Sequence, residues 1–351
     1  MKRIAIIGSH GIYASYGGWD QLVINLAELK SQNFSYLIFN SSDTKIEKII
    51  PTNVKVVRSM FKADGIQGFF YDFVTILRAY FTCDTLLLLG AQGIPIISLL
   101  KFFKKTKIVT NVGGIEWERP KFNFFIRYYL KFCFKLSLKN ERIVVIDNEH
   151  YKKFLPSENL SNVNVIPYGG VIDYSLSINN YVSKKYEFLK KDYFLSVSRS
   201  LSDNKLYELC ESFSNLKDNL VLISNFSKSE YGNKVYEKFS SVKNLWLIDG
   251  LYIKPELDLI RRKCKAYIHT HTLCGTAPSL VEMIVCKKPI ISIDIPQNRF
   301  TLNNEGFYFK NFTELKLFIE NNNFINDYIC SENLVKQYSW NNIVNRYESI
   351  L

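Results

Sequence analysis

The chain has 351 residues, a length that fits two domains, each able to bury a core of its own. Hydrophobic residues make up 47% and charged residues 22%, the balance of an ordinary globular protein, and no low-complexity tract is present. The net charge is +12, and +9 of it falls in residues 1–170, where 22 Lys/Arg face 13 Asp/Glu. A basic half points to an anionic partner: a membrane surface, a phosphorylated lipid or a nucleic acid.

The first apolar run, at 3–7, is too short for a signal peptide and reads as a strand. Strand candidates follow at 35–39, 54–58, 84–89, 107–111, 142–146 and 163–166, with helical patterns at 19–30, 66–81 and 121–139. Such alternation predicts a parallel sheet with helices on both faces. The most apolar stretch, Leu86 to Leu100, is broken by Gly90, Gln92, Gly93 and Pro95 and is too short to span a bilayer. After Gly169-Gly170, residues 171–190 are rich in Ser, Asn, Tyr and Lys with little periodicity, and are expected to be a linker. A second series of strands then runs at 193–198, 219–224, 244–248, 265–269 and 289–293. The expected class is α/β, with Rossmann-like domains at 1–170 and 191–337 facing a central cleft, where ligands bind at the carboxyl ends of strands. The seven cysteines include no C-x-x-C pair, which suits a reduced compartment without disulfides or a zinc site. A cytoplasmic protein without a transmembrane helix is expected.

Four segments carry chemistry. Gly8-Ser9-His10-Gly11 to Gly17-Gly18-Trp19-Asp20 joins the first strand to a helix. It suits either a phosphate-binding loop or a tight turn without a ligand, and it is not the G-x-G-x-x-G fingerprint. Asn111 to Pro120 follows a strand and sets Glu116 and Arg119 as polar groups, with Trp117 as a stacking face, where an acceptor can lie. The alternative for Trp117 is core packing. Ser198 to Lys205 ends the first strand of the second series, where Arg199 and Lys205 can steady a leaving diphosphate or simply be surface cations. In Tyr267 to Glu282 a strand ends near His269, a small-residue loop follows, and a helix opens near Pro278. Backbone N–H groups of Gly275 to Leu280 can face a diphosphate, and Glu282, one turn on, can accept hydrogen bonds from a ribose diol. The alternative for Glu282 is a solvated helix residue. For His269 and His271 strand-end packing or a cap outweighs a metal site, which would need a third ligand.

The helical pattern at 121–139 contains no acid, and Arg127, Lys131, Lys135 and Lys139 recur every four residues beside aromatic positions. This stripe is expected to face an anionic membrane surface, against the plainer reading of a solvated cationic face. Nucleic acid is not expected, because no recognised module is present.

As a set, these segments resemble the GT-B glycosyltransferases of family 4, and within them the bacterial rhamnosyltransferase branch of capsule, O-antigen and cell-wall polysaccharide synthesis. The likeness runs through Ile7-Gly8, Gly11-Ile12, Tyr16-Gly17-Gly18, Asn111-Val112, Gly114-Ile115-Glu116-Trp117, Ile166-Pro167-Tyr168-Gly169, Tyr267-Ile268-His269, His271, Gly275-Thr276, Pro278-Ser279-Leu280, Glu282 and Tyr338-Ser339-Trp340. It implies a retaining transfer from a nucleotide sugar, dTDP- or UDP-linked, to a lipid-linked or polysaccharide acceptor, at the inner face of the plasma membrane and with no cofactor or obligatory metal. The resemblance implies donor contacts from Arg199, Gly275, Thr276, Ser279, Leu280 and Glu282, and donor contacts are also expected from Gly17, Gly18, Lys205 and Asn204, the last standing where the broader family often has Lys. Acceptor contacts are expected from Tyr16, Asp20, Glu116, Trp117 and Arg119, and catalytic roles from Arg199, Lys205 and Glu116. A C-terminal helix, about 338–351, is expected to cross back to the first domain. Gly113, Ala277 and Cys274 depart from the family pattern, which leaves a nucleotide-sugar epimerase or an inactive GT-B partner as alternatives.

Overall fold

The computed structural model describes residues 1–14, 17–46, 48–104, 106–118, 122–139, 142–321, 328 and 330–351. Tyr16 and Arg119 lie outside the described residues. The chain forms two compact units, Met1–Tyr168 with Trp340–Leu351, and Gly169–Ser339.

The first unit carries β1 (Lys2–Ile7), β2 (Phe34–Asn40), β3 (Val54–Arg58), β4 (Thr85–Leu89), β5 (Lys107–Gly113), β6 (Ile143–Ile146) and β7 (Val163–Val165). Among the described residues these make a seven-stranded parallel sheet in the order β3-β2-β1-β4-β5-β6-β7. Its helices include α1 (Gly18–Leu29), α2 (Gly65–Tyr80), α3 (Ile94–Leu100) and α4 (Phe124–Ser137). The two-residue period of a strand sorts β1 between two cores. Ile4 and Ile6 pack with Leu22, Val23 and Leu26 of α1, whereas Ala5 and Ile7 pack with Tyr71 and Ile76 of α2 and Ile94 of α3. Both faces are covered, so a central strand such as β4 is buried along its whole length, whereas the edge strand β3 exposes Lys55 and Arg58.

The second unit contains α5 (Asn180–Lys185), β8 (Tyr193–Val197), α6 (Leu206–Ser214), β9 (Asn219–Ser224), α7 (Glu230–Phe239), β10 (Leu245–Asp249), α8 (Lys254–Lys263) and β11 (Ala266–His269). It continues through α9 (Pro278–Val285), β12 (Ile290–Ile293), α10 (Pro296–Thr301), β13 (Phe307–Phe309), α11 (Phe312–Glu320) and α12 (Glu332–Gln337). The sheet is parallel, in the order β10-β9-β8-β11-β12-β13. The same sorting holds: Tyr193 and Leu195 of β8 face α8 and α9, and Phe194 faces α6 and α7. Residues 171–190, expected as a linker, are packed structure in this unit. Val182, Tyr186 and Phe188 join its core, and Lys185 and Tyr186 both bond Glu256. The hydrophobic spacing 182-186-188 lacks a repeat, which hid this role from periodicity.

The last helix, α13 (Trp340–Ile350), belongs to the first unit. Its Trp340, Ile343, Val344 and Tyr347 follow helical spacing and enter the core with Ile4 and Ile6. Asn111 Nδ2 donates to the Tyr347 hydroxyl at 2.7 Å, and Thr85 Oγ1 donates to the Leu351 carbonyl at 3.2 Å.

Candidate functional site

In each sheet the strand order reverses once: between β1 and β4 in the first unit, and between β8 and β11 in the second. Loops leaving adjacent strands there diverge to opposite faces, and the crevice at their carboxyl ends is the usual ligand position in open α/β sheets.

In the second unit this point collects two of the predicted segments. The loop after β8 folds back on itself, because Asn204, 4% exposed, donates from Nδ2 to the Arg199 carbonyl at 2.7 Å. Ser200 ties the same loop to the end of β9, its N–H donating to Asn225 Oδ1 at 2.9 Å. The loop after β11 is stitched to it: Thr270 Oγ1 donates to the Asn204 carbonyl at 2.5 Å, and Thr272 Oγ1 to the Asp203 carbonyl at 2.8 Å. These side-chain-to-backbone bonds hold Arg199, Asn204 and Lys205 against the segment His269 to Thr276. Arg199 is exposed, and Lys205 pairs with Glu208 at 3.2 Å on the surface. Lys205 sits in the left-handed region (φ 56°) at the start of α6.

Helix α9 opens beside this loop with Pro278 in its first turn and no side-chain cap. Its N-terminal end therefore carries the positive end of the helix dipole toward the switch point. The Tyr267 hydroxyl donates to the Val197 carbonyl at 3.1 Å, tying β11 to the end of β8. Leu280 is placed differently from the expectation that it faces a donor: its side chain is fully buried and its N–H is engaged with the Ala277 carbonyl at 3.0 Å. Gly275 and Thr276 are buried in the loop ahead of the helix.

Glu282 is 24% exposed at its side chain and pairs with Arg261 Nη2. Arg261, 4% exposed, also donates from Nη1 to Asp258 Oδ1 at 2.7 Å. Asp258 is sealed from solvent, and its Oδ2 accepts from the Asp173 N–H at 2.8 Å and from Lys254 Nζ at 2.7 Å. Burial works against the charge on Arg261, but Glu282 and Asp258 outweigh it and hold the guanidinium protonated. Asp258 and Arg261 were missed in sequence, where Lys254–Lys263 reads as a charged surface helix. Their three-residue spacing puts them on one face, but nothing local says that this face is buried.

The first unit presents a separate arrangement at its own reversal. Asp20, expected to touch an acceptor, is 1% exposed and braces the glycine loop instead, accepting from the His10 N–H at 3.0 Å and the Gly17 N–H at 3.2 Å. A carboxylate one turn into α1 is where such loop N–H groups converge. The His10 Nδ1 lies 3.4 Å from Asp20, and that bond raises the His10 pKa against the opposing effect of burial. Gly17 is exposed with open space around it, and Gly18 starts α1. Glu116 is half-buried on a single 3-10 turn, Glu116–Glu118. Trp117 is half-buried with its ring 4.5 Å from that of Phe134, so it packs rather than standing open as a stacking face. Gly113 adopts φ 61°, and the ring of Trp19 lies 3.6 Å from where its Cβ would stand.

Lys131 and Lys135 on α4, and Lys139 just past it, are exposed, whereas Arg127, 43% exposed at its side chain, bends back to the preceding turn: Nε donates to the Trp117 carbonyl at 2.6 Å and Nη2 lies 3.7 Å from Glu118. Exposed Phe124, Tyr128 and Phe132 form a row at four-residue spacing beside the lysines. No helix among the described residues is long and apolar enough to cross a membrane.

No protein-family model matches the chain, and no curated protein matches it in sequence. Solved structures do match, over nearly the whole length. Sucrose-phosphate synthase from Thermosynechococcus elongatus superposes with a TM-score of 0.77 at 12% identity, covering 100% of this chain and 98% of that one. HepE from Anabaena in complex with UDP-glucose gives 0.75 at 12% identity, with 100% of each chain covered. The trehalose-6-phosphate protein from E. coli, bound with UDP-2-fluoro glucose, gives 0.70 at 11% identity, covering 99% and 98%. The fold is GT-B. GT-B accounts for both parallel sheets and for the return of α13 to the first unit; at these identities the likeness speaks for the fold alone.

Proposed function

We propose that this chain is a glycosyltransferase that takes a sugar from a nucleoside-diphosphate donor held in its second unit. The observation that carries the reading is the convergence at the β8–β11 reversal of Arg199, Lys205, the opening of α9 and Glu282. An anionic diphosphate suits the cation and the helix N-terminus together, and a carboxylate one turn away suits a ribose diol. Two of the GT-B structures named above carry UDP-sugars, which supports a UDP-linked donor here, and the sequence resemblance keeps a dTDP-linked donor beside it.

On this reading the acceptor hydroxyl attacks on the face that the diphosphate leaves, with retention of configuration. Arg199 and Lys205 stabilise charge building on the leaving diphosphate, and fixed backbone dipoles do so without reorganising during the reaction. The acceptor lies with the first unit, near Gly17 and Glu116, and no obligatory metal is needed. A hexose, rhamnose among the candidates, is the group moved, and a lipid-linked or polysaccharide chain receives it. The exposed lysine and aromatic rows of α4, with Phe102 and Phe103 standing about four-fifths exposed just past α3, support docking of the first unit on an anionic bilayer. The test is incubation with UDP- and dTDP-sugars and a lipid-linked glycan. Sugar appearing on the glycan supports the proposal. Interconversion of the free nucleotide sugars without transfer would select an epimerase, and binding without turnover an inactive partner.

A further inference from the structure

His269 and His271 stand at the carboxyl end of β11 with their rings turned toward each other. Their Nδ1 atoms are 3.1 Å apart and their ring centroids 4.3 Å apart. Two nitrogens that close share a proton: one Nδ1 donates and the other accepts. Burial favours the neutral form of both rings, lowering His271 to about 3 with help from the charge of Arg199, and lowering His269 well below its ordinary value with help from His271. A neutral imidazole has a single N–H, so the choice made at Nδ1 dictates the state of Nε2.

The surroundings decide which ring donates. His269 is fully buried, and its Nε2 has no hydrogen-bond partner. A sealed N–H without an acceptor is rarer and more costly than an acceptor without a donor. His269 therefore carries its proton on Nδ1 and gives it to His271. His271 accepts at Nδ1 and holds its own proton on Nε2. That ring is only half-buried, and Arg199 is the charge it feels.

We propose that His269 fixes His271 in the Nε2–H tautomer and that this N–H, beside Arg199, donates a hydrogen bond to a diphosphate oxygen of the nucleotide sugar. The inference rests on the nucleotide-sugar reading of the same site. His271 is the binding residue and His269 the positioning residue. With the opposite tautomer, a bare Nε2 lone pair would meet the phosphate and repel it. A metal held between the two rings is the competing use of the pair, and among the described residues no third His, Cys, Asp or Glu completes such a site.

Two measurements on the full chain test this. The first is a two-bond proton–nitrogen correlation spectrum of nitrogen-15 histidine-labelled protein, in which only four histidines need assignment. His271 should show a protonated Nε2 and a bare Nδ1, and His269 the reverse; a protonated Nδ1 on His271 overturns the proposal. This spectrum is read on the wild-type chain, so it decides even where a variant fails to fold. The second is calorimetric titration with UDP, UMP, dTDP and dTMP. His271→Ala should weaken the diphosphates about tenfold or more, the usual effect of losing a hydrogen bond to a charged group, and leave the monophosphates nearly unchanged. His269→Leu should reproduce part of that loss, and His269→Asn, whose amide can donate in place of Nδ1, should restore it. An unchanged preference for diphosphate in His271→Ala overturns the proposal, as does stoichiometric Zn2+ binding that shifts both rings. If the wild type binds neither UDP nor dTDP, the nucleotide-sugar reading fails and takes this one with it. Wild-type binding with an indifferent His271→Ala removes the histidine alone.

Discussion

Arg261, buried on α8, pairs with Glu282 on α9 and so fixes a carboxylate one helical turn past the loop that ends at Thr276 and Ala277. The pairing engages Oε2. Glu282→Gln keeps the size and removes the charge. UDP or dTDP should bind about tenfold more weakly, because a hydrogen bond to a charged acceptor is lost, while acceptor binding stays unchanged. Calorimetry on the variant checks this, and unaltered nucleotide affinity would end the ribose role.

Arg261→Met tests what the pairing contributes to stability. It leaves Asp258, fully buried, with Lys254 as its remaining cation, and leaves Glu282 without its guanidinium partner. Because Lys254 stays, the loss should fall at or below the about 3–5 kcal/mol typical of a broken buried pair. Urea denaturation should show the loss, and Arg261→Lys should recover only part of it, since one ammonium cannot bridge both carboxylates as the guanidinium fork does.

His10 gives a pH dependence. Its hydrogen bond to Asp20 raises its folded pKa above the ordinary 6.5. The stabilisation is therefore fully present below the unfolded value and is lost as pH rises through the folded one. Thermal melts should show His10→Gln more damaging at pH 6 than at pH 8.5. An equal effect at both would mean that the ring charge does not matter.

Much of this fold was legible. Two alternating strand series, each strand an apolar run, lead to covered parallel sheets, and the strands predicted at 54–58 and 219–224 match β3 and β9. β13 was not seen, because three residues, Phe307–Phe309, are too few to show a period. The site was partly legible, since Gly/Ser/Thr-rich loops between a strand and a helix have a local signature. Long-range pairings have none. Asp20 looks like any first-turn acid until His10 and Gly17 are seen to donate to it, and Arg127 looks like part of a lysine stripe until the Trp117 carbonyl is seen to accept from it.

Gly8 ends β1 with φ +99°, and a Cβ there would stand 2.2 Å from the Leu89 carbonyl oxygen. Gly8→Ala should destabilise the first unit by more than about 1 kcal/mol, because both the conformation and the space are wrong for a side chain. Denaturant midpoints of wild type and variant check this.

The lysines of α4 carry the membrane proposal. Reversing Lys131, Lys135 and Lys139 to Glu should sharply reduce sedimentation with anionic liposomes and leave neutral liposomes indifferent, with the effect fading at high salt. Arg127 is best left intact, since it holds the Trp117 turn. A folded triple variant that still sediments normally would make the row a solvated face.

The proposed role of the second unit is to hold a nucleoside diphosphate at the β8–β11 reversal. Its most direct test is calorimetric titration of the full chain with UDP, dTDP and GDP, without added metal. Saturable binding of UDP or dTDP, about one per chain, is the predicted result, and the nucleotide that binds names the donor class. Binding of none of the three would contradict the account, and the roles given to Arg199, Lys205 and Glu282 would fall with it.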